Sequence, residues 1–213
     1  MKNIYFDGGS DMNGAELGDV YDDRYQLRFS KLICDHYGIE EYNISMGGCG
    51  NHRVVRQLLL NERHISEFDL AIIQMCPKWR TEYHDGTRWQ RVLTDQQKCR
   101  ISDHKKTHAQ MYQKPDKFDL LGKTDQDFWK EYFRVHSEEF FSTNEKMYHA
   151  MIKSHCKAYG VPLILLGRRR SSDLEFEFCF DEPWISKAPK GHPDEEGHRQ
   201  IADRLISMLT KHK

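Results

Sequence analysis

The sequence lacks the features that would place it in several large classes of protein. No stretch approaches the roughly 20 consecutive apolar residues that a membrane-crossing helix needs. The opening residues, MKNIYFDGGS, carry one lysine and an apolar run too short for a secretory leader, so they are expected to form a buried first strand. Charge of one sign is not in excess: 32 Lys and Arg against 33 Asp and Glu leave a net charge of -1. That balance gives no general attraction to nucleic acid or to an anionic membrane, so neither is expected as a partner. There is no C-x-x-C pair among Cys34, Cys49, Cys76, Cys99, Cys156 and Cys179. Their scatter argues against a zinc site and a disulfide scaffold, and favours reduced thiols in the cytoplasm. Internal repeats and low-complexity segments are absent as well.

What remains is an ordinary globular chain of 213 residues, 38% hydrophobic and 31% charged, long enough for one sizeable α/β core and short for two domains. Residues 2–6 read as a strand that breaks into Asp7-Gly8-Gly9-Ser10. Residues 24–37 suit an amphipathic helix closed by Gly38, and residues 41–46 a second strand ending in Gly47, Gly48 and Gly50. A helix is expected from Arg53 to Leu60, and a buried parallel strand over 69–73. Residues 78–123 are rich in Lys, Arg, Asp, Gln and His, and read as a polar insertion or lid outside the central sheet. Helical spacing returns over 125–159 through Phe128, Tyr132, Val135, Phe140, Met147, Met151 and Ile152. A strand over 161–166 follows. From Asp194 onward a last helix carries Glu195 and Glu196 in its first turn and Lys211 and Lys213 at its end, as the helix dipole favours. Its expected inner face is Ile201, Ala202, Leu205, Ile206 and Leu209.

This alternation predicts a single α/β domain, a three-layer sandwich with a central parallel sheet. Ligands in such folds collect at the carboxyl ends of the strands. There the sequence offers Ser10, Gly48 with Asn51, residues 76–82, and, in the loop before the last helix, His192. Acyl transfer needs such residue types together. A serine hydroxyl is a weak nucleophile until a base takes its proton. The oxyanion that develops needs preorganised N–H donors, and glycine-rich strand ends supply them.

The segment IYFDGGSDMNG resembles the first block of SGNH/GDSL hydrolases, in which a strand runs into G-D-S-x-x-x-G; Gly8, Ser10 and Gly14 keep the frame and Gly9 replaces the aspartate. NISMGGCGN is similar to the second block through Asn43 and Gly48, and GHPDEEGHRQIADRL to the last, through His192 and Pro193. The third block, G-x-N-D, is absent from FDLAIIQMCPKWRTE, where Cys76 and Lys78 stand at the glycine and asparagine positions. Gly48, Asn51 and Arg53, with Arg80 and Glu82, look like a divergent phage- or large-virus-like branch. The resemblance implies a flavodoxin-like SGNH hydrolase fold, Ser10 as nucleophile and His192 as base. It also implies an oxyanion site at the N–H groups of Ser10 and Gly48, and no metal or organic cofactor. Pro189 stands where the family has the aspartate that orients the histidine. Asp181 and Glu182 are the nearest upstream acids; without them the site is a Ser–His dyad.

Other roles compete for the same residues. Asn51 either supplies the missing oxyanion amide or caps the helix after it. Arg53 and Arg80 either bind substrate or pair with Glu82. Arg168, Arg169 and Arg170 form either a solvated loop or an anion site. His104 and His108, four apart, have metal-ligand spacing but no carboxylate or cysteine partner. His198 reads as structural. Trp79, Tyr83 and Trp89 either pack the lid or face a sugar ring. The leading function is a serine esterase or deacylase acting on an O-acyl ester of a small molecule or carbohydrate. The alternatives are a catalytically inactive protein of the same fold that binds a glycan or protein partner, and phosphate or nucleic-acid chemistry through the arginine run.

Overall fold

A computed structural model describes residues 1–17, 21–61, 63–84, 89–92, 135–169, 172 and 174–211. Five strands form the central sheet: β1 (Ile4–Asp7), β2 (Tyr42–Asn43), β3 (Leu70–Gln74), β6 (Leu163–Gly167) and β7 (Phe178–Cys179). Their spatial order is β2-β1-β3-β6-β7, and every neighbouring pair is parallel. The order is flavodoxin-like, and its switch point, where such sheets bind ligands, lies between β1 and β3.

The central strands are apolar up to their carboxyl ends, where Asp7 and Gln74 stand, because both faces of the sheet are covered. Ile4, Phe6, Ile72 and Leu166 face one core, shared with Phe29 and Ile33 of α3 (Phe29–Tyr37) and Ile201 and Leu205 of α6 (Glu195–Lys211). Tyr5, Ala71, Ile73 and Leu165 face the other, with Val54 and Leu58 of α4 (Asn51–Leu60) and Ile152 and Cys156 of α5 (Glu138–Ala158). Alternation along each strand thus builds the three layers expected from the sequence. Each fully buried Ile, Leu or Phe contributes about 1.5–3 kcal/mol, enough to hold the buried charges described below in a rigid frame.

Some local expectations change. The helix predicted over 24–37 is two helices, α2 (Tyr21–Leu27) and α3, separated by Arg28 in an extended conformation (φ -72°, ψ 144°). Arg28 is buried and its guanidinium binds Glu41 at 2.6–2.8 Å, so tertiary pairing breaks the helix. The second strand shrinks to two residues, although Ile44 and Met46 still donate backbone hydrogen bonds to Phe6 and Gly8. On α5 the buried stripe is Phe141, Glu145, Ile152 and Cys156, while Met147 and Met151 face outward. The two-residue strand β7 has no counterpart in the sequence pattern.

Within 78–123, β4 (Thr81–His84) and β5 (Trp89–Val92) form an antiparallel ribbon separate from the central sheet. Residues 93–134, with His104 and His108, lie outside the described residues. No helix among the described residues is long and apolar enough to cross a membrane.

Candidate active site

Ser10 opens the short helix α1 (Ser10–Asn13) directly after β1. The turn that delivers it requires glycine at position 8. Its φ is +150°, and a Cβ there would stand 2.4 Å from Gln74 Cβ. That close approach lets the buried Gln74, last residue of β3, hold the turn. Its Oε1 accepts from the N–H groups of Gly9 (3.1 Å) and Met12 (3.0 Å), and its Nε2 donates to Asp11 at 2.8 Å. Arg168, one residue past β6, clamps the other side of buried Asp11, donating from Nε at 3.0 Å. Burial alone raises the Asp11 carboxyl, but the Arg168 charge and hydrogen bonds outweigh it and hold Asp11 below the usual carboxylate range. The turn that carries Ser10 is therefore fixed by the ends of three neighbouring strands.

His192 reaches Ser10 from the loop before α6. Its Nε2 is 2.9 Å from Ser10 Oγ, and its Nδ1 is 2.7 Å from Glu16 Oε2. A carboxylate can only accept, so Nδ1 carries the proton and Nε2 is left to accept from the serine hydroxyl. Glu16 also accepts from the N–H groups of Lys190 (3.1 Å) and His192 (3.3 Å), fixing the loop as well as the ring. Slight burial pushes the Glu16 carboxyl up; the hydrogen bonds from the His192 ring and these two amides more than offset it and keep it below its ordinary value. Glu16 has φ 69°, and no other non-glycine among the described residues has positive φ. A left-handed backbone costs a side chain-bearing residue about 1–2 kcal/mol, and such strain gathers at functional sites.

Glu16, which the sequence pattern did not single out, occupies the place expected of Asp181. Asp181 accepts instead from the Arg169 N–H at 3.1 Å, and Glu182 pairs with the Arg169 guanidinium at 2.8 Å. The described arrangement is neither a dyad nor a triad completed from the loop upstream of the histidine.

The second glycine loop borders Ser10: a Cβ on Gly47, the residue before Gly48, would stand 4.0 Å from Ser10 Cβ. Asn43 anchors this loop, accepting from Ser45 N–H at 3.0 Å and donating to the Met12 carbonyl at 3.2 Å.

Asn51 and Arg53 take structural places rather than substrate-facing ones. The Asn51 amide is closed on the Cys76 backbone, donating to its carbonyl at 2.9 Å and accepting from its N–H at 2.6 Å. It makes no side-chain cap to α4 either. Arg53 is buried, donating to Asp7 Oδ1 at 2.7 Å and to the Ile44 carbonyl. Its charge and hydrogen bond only partly counter the burial of Asp7, whose carboxyl is pushed up to about 6. Glu82 pairs with Arg56 (3.0 Å) and lies 3.7 Å from His52, so the alternative pairing of Glu82 with Arg53 or Arg80 is not what forms. Lys78, at the position of the family's asparagine, turns to α5, where it meets Ser142 at 3.0 Å and pairs with Glu138. Arg80 does lie at the site.

Cys49 and Cys76 lie behind this loop with their sulfurs 3.4 Å apart, both buried and free. The contact with Cys49 and burial push the Cys76 thiol well up, so it offers no competing nucleophile. His198 is fully buried, accepts from the Phe29 N–H at 3.1 Å and stacks on the Phe29 ring, a structural role. No cluster of three or more metal-ligating side chains occurs among the described residues.

A parallel α/β sheet that presents serine, histidine and carboxylate in one hydrogen-bonded chain holds the residue types that acyl transfer can use. No protein-family model matches the chain, and no curated protein does. Among solved structures, TesA is similar at a TM-score of 0.51 and 11% identity, over 97% of this chain and 98% of that one. That likeness shows the shared fold. A family two carbohydrate esterase from Clostridium thermocellum, in complex with cellohexaose, aligns at a TM-score of 0.49 and 12% identity over 99% of this chain. The chain spans only 64% of that esterase's length. A G-D-S-L family lipolytic protein from Desulfitobacterium hafniense aligns at 0.38 and 11%, covering 95% and 97% of the two chains.

Proposed function

We propose that the chain is a serine hydrolase of the SGNH type that cleaves O-acyl esters, with Ser10 as nucleophile, His192 as general base and acid, and Glu16 as the carboxylate behind the histidine. The observation that carries this reading is the unbroken hydrogen-bonded chain from Ser10 Oγ through the His192 ring to Glu16. Ser10 Oγ attacks the acyl carbon as its proton passes to His192 Nε2. The carbonyl oxygen becomes an oxyanion facing the N–H groups of Ser10 and Gly48. The tetrahedral intermediate collapses; the ester C–O bond breaks, and His192 gives the proton to the departing alcohol. Water then attacks the acyl-serine by the same relay, releasing the acid and restoring Ser10.

The expected substrate is an O-acyl ester of a small molecule or carbohydrate, and the chemistry needs no metal or cofactor. The phage- or large-virus-like branch rests only on the pattern of Gly48, Asn51 and Arg53 with Arg80 and Glu82. The alternative, an inactive protein of the same fold that binds a glycan or a protein partner, rests on three departures from the family pattern, at Gly9, Lys78 and Pro189; Glu16 answers the last of them.

A fluorophosphonate probe tests the first step. A Ser10-dependent adduct, absent in Ser10→Ala, is expected together with hydrolysis of p-nitrophenyl acetate. Failure of several probe sizes to label a folded protein overturns the reading.

A further inference from the structure

We propose that the Arg80 guanidinium is the third oxyanion donor, filling the place of the side-chain amide that this chain lacks; the inference rests on Ser10 being the nucleophile. Arg80 closes a turn after β3, its N–H bonded to the Pro77 carbonyl at 3.0 Å. From there its Nη1 lies 3.6 Å from where a Cβ on Gly9 would stand, one residue before Ser10. Its carbonyl presses on the second glycine loop, 2.5 Å from the Cβ position of Gly50, an approach only glycine permits. Arg80 thus lies between the two glycine loops, its carbonyl against Gly50 and its guanidinium beside Gly9, next in sequence to Ser10.

Among the described residues the carboxylates around the site have other direct partners, although Asp11 also feels the Arg80 charge, which helps to hold its carboxyl low. Asp11 is taken by Arg168, Asp7 by Arg53, Glu82 by Arg56, and Glu16 serves His192. No ion pair or side-chain hydrogen bond engages Arg80 among the described residues. A half-buried guanidinium beside the Ser10 turn, in direct contact with no carboxylate among the described residues, is poised for negative charge that appears only during the reaction. In a site shielded from water such a donor acts most strongly on the transition state. Arg80 is a single residue from the Trp79 that faces Lys78, and two from Lys78, whose ammonium is committed to α5. It takes the oxyanion position by default of its neighbours.

The test compares wild type, Arg80→Ala, Arg80→Lys and Ser10→Ala on a neutral ester, p-nitrophenyl acetate, and an anionic one, p-nitrophenyl hemisuccinate. Arg80→Ala is expected to lower kcat about 10²–10³-fold on both esters with KM little changed, the loss typical of one oxyanion donor. Arg80→Lys should recover part of it, and added guanidinium at non-denaturing concentration should partly rescue Arg80→Ala but not Ser10→Ala. A thermal unfolding midpoint for each variant separates lost chemistry from lost fold; if Arg80→Ala does not fold, Arg80→Lys with its intermediate kcat carries the test. A loss confined to KM of the anionic ester overturns the proposal in favour of a substrate-carboxylate site. Undiminished kcat in Arg80→Ala, with Ser10→Ala inactive, overturns it while leaving the nucleophile standing. Full activity in Ser10→Ala defeats the nucleophile reading itself.

Discussion

Replacing Glu16 by glutamine puts the proposed triad under the sharpest test, because it changes one atom and leaves the shape of the site. In the wild-type site Oε2 accepts from His192 Nδ1 at 2.7 Å and so selects the ring tautomer that can accept from Ser10. A glutamine amide placed there donates to Nδ1, which drives the proton to Nε2 and removes the base. The comparable change in a well-studied serine protease lowers kcat about 10⁴-fold, and a loss of that order is expected here. Stability should move far less. Glu16 also accepts from the amides of Lys190 and His192, and losing one of these bonds costs about 1 kcal/mol, or roughly 2–4 °C in Tm for a chain of this size. Glu16→Gly extends the argument. It loses all three hydrogen bonds to the carboxylate, about 3 kcal/mol, and regains about 1–2 kcal/mol from the left-handed strain at φ 69°, so it should unfold a few degrees below the wild type while remaining as inactive. The assay is steady-state hydrolysis of p-nitrophenyl acetate beside thermal unfolding, with Asp181→Asn as the control. Glu16→Gln within tenfold of wild type, or Asp181→Asn falling as far, would refute the assignment of Glu16.

Arg53→Ala should destabilise the fold by about 3–5 kcal/mol in urea, since it strands buried Asp7, while leaving KM of the folded protein unchanged. Gly8→Ala should cost about 1–3 kcal/mol and lower kcat together, because the new Cβ displaces Gln74 and the turn it holds. Burial is the main cause that lowers His198 to about 4, so the native state stays neutral where the unfolded chain takes up a proton. Its contribution is present above about pH 6.5 and lost as pH falls toward 4, on the order of 3 kcal/mol. Asp7, raised to about 6, acts in the opposite sense over part of that window, so the wild type must be compared with His198→Asn. The variant's Tm should fall less steeply between pH 6.5 and 4; an equal slope removes His198 from the account.

Apolar runs over 69–73 and 161–166 were enough to predict buried parallel strands, since only a sheet covered on both faces asks for side chains apolar at every position. The glycine clusters marked the strand ends, and the residue blocks around Ser10 and His192 marked the candidate pair, because close backbone approach and nucleophile chemistry restrict residue type locally. Position along the chain carried no such information for the rest. Glu16 lies 176 residues from His192, and a glutamate in a left-handed turn has no sequence signature. Asn51 and Arg53 read alike as ligands or as struts until Cys76 and Asp7 were seen to claim them. On α5, helical spacing forecast that an apolar face exists, but the neighbours α4 and β6 decided that Phe141 and Ile152 go inward and Met147 and Met151 outward. Local sequence thus determined the elements, through periodicity and the narrow tolerance of glycine turns, and its family-like blocks marked Ser10 and His192 as the candidate pair. The carboxylate behind His192, the placing of Arg80 beside Gly9 and the buried struts came from tertiary structure alone, because a charge is assigned a role by whichever partner the fold brings within hydrogen-bond reach.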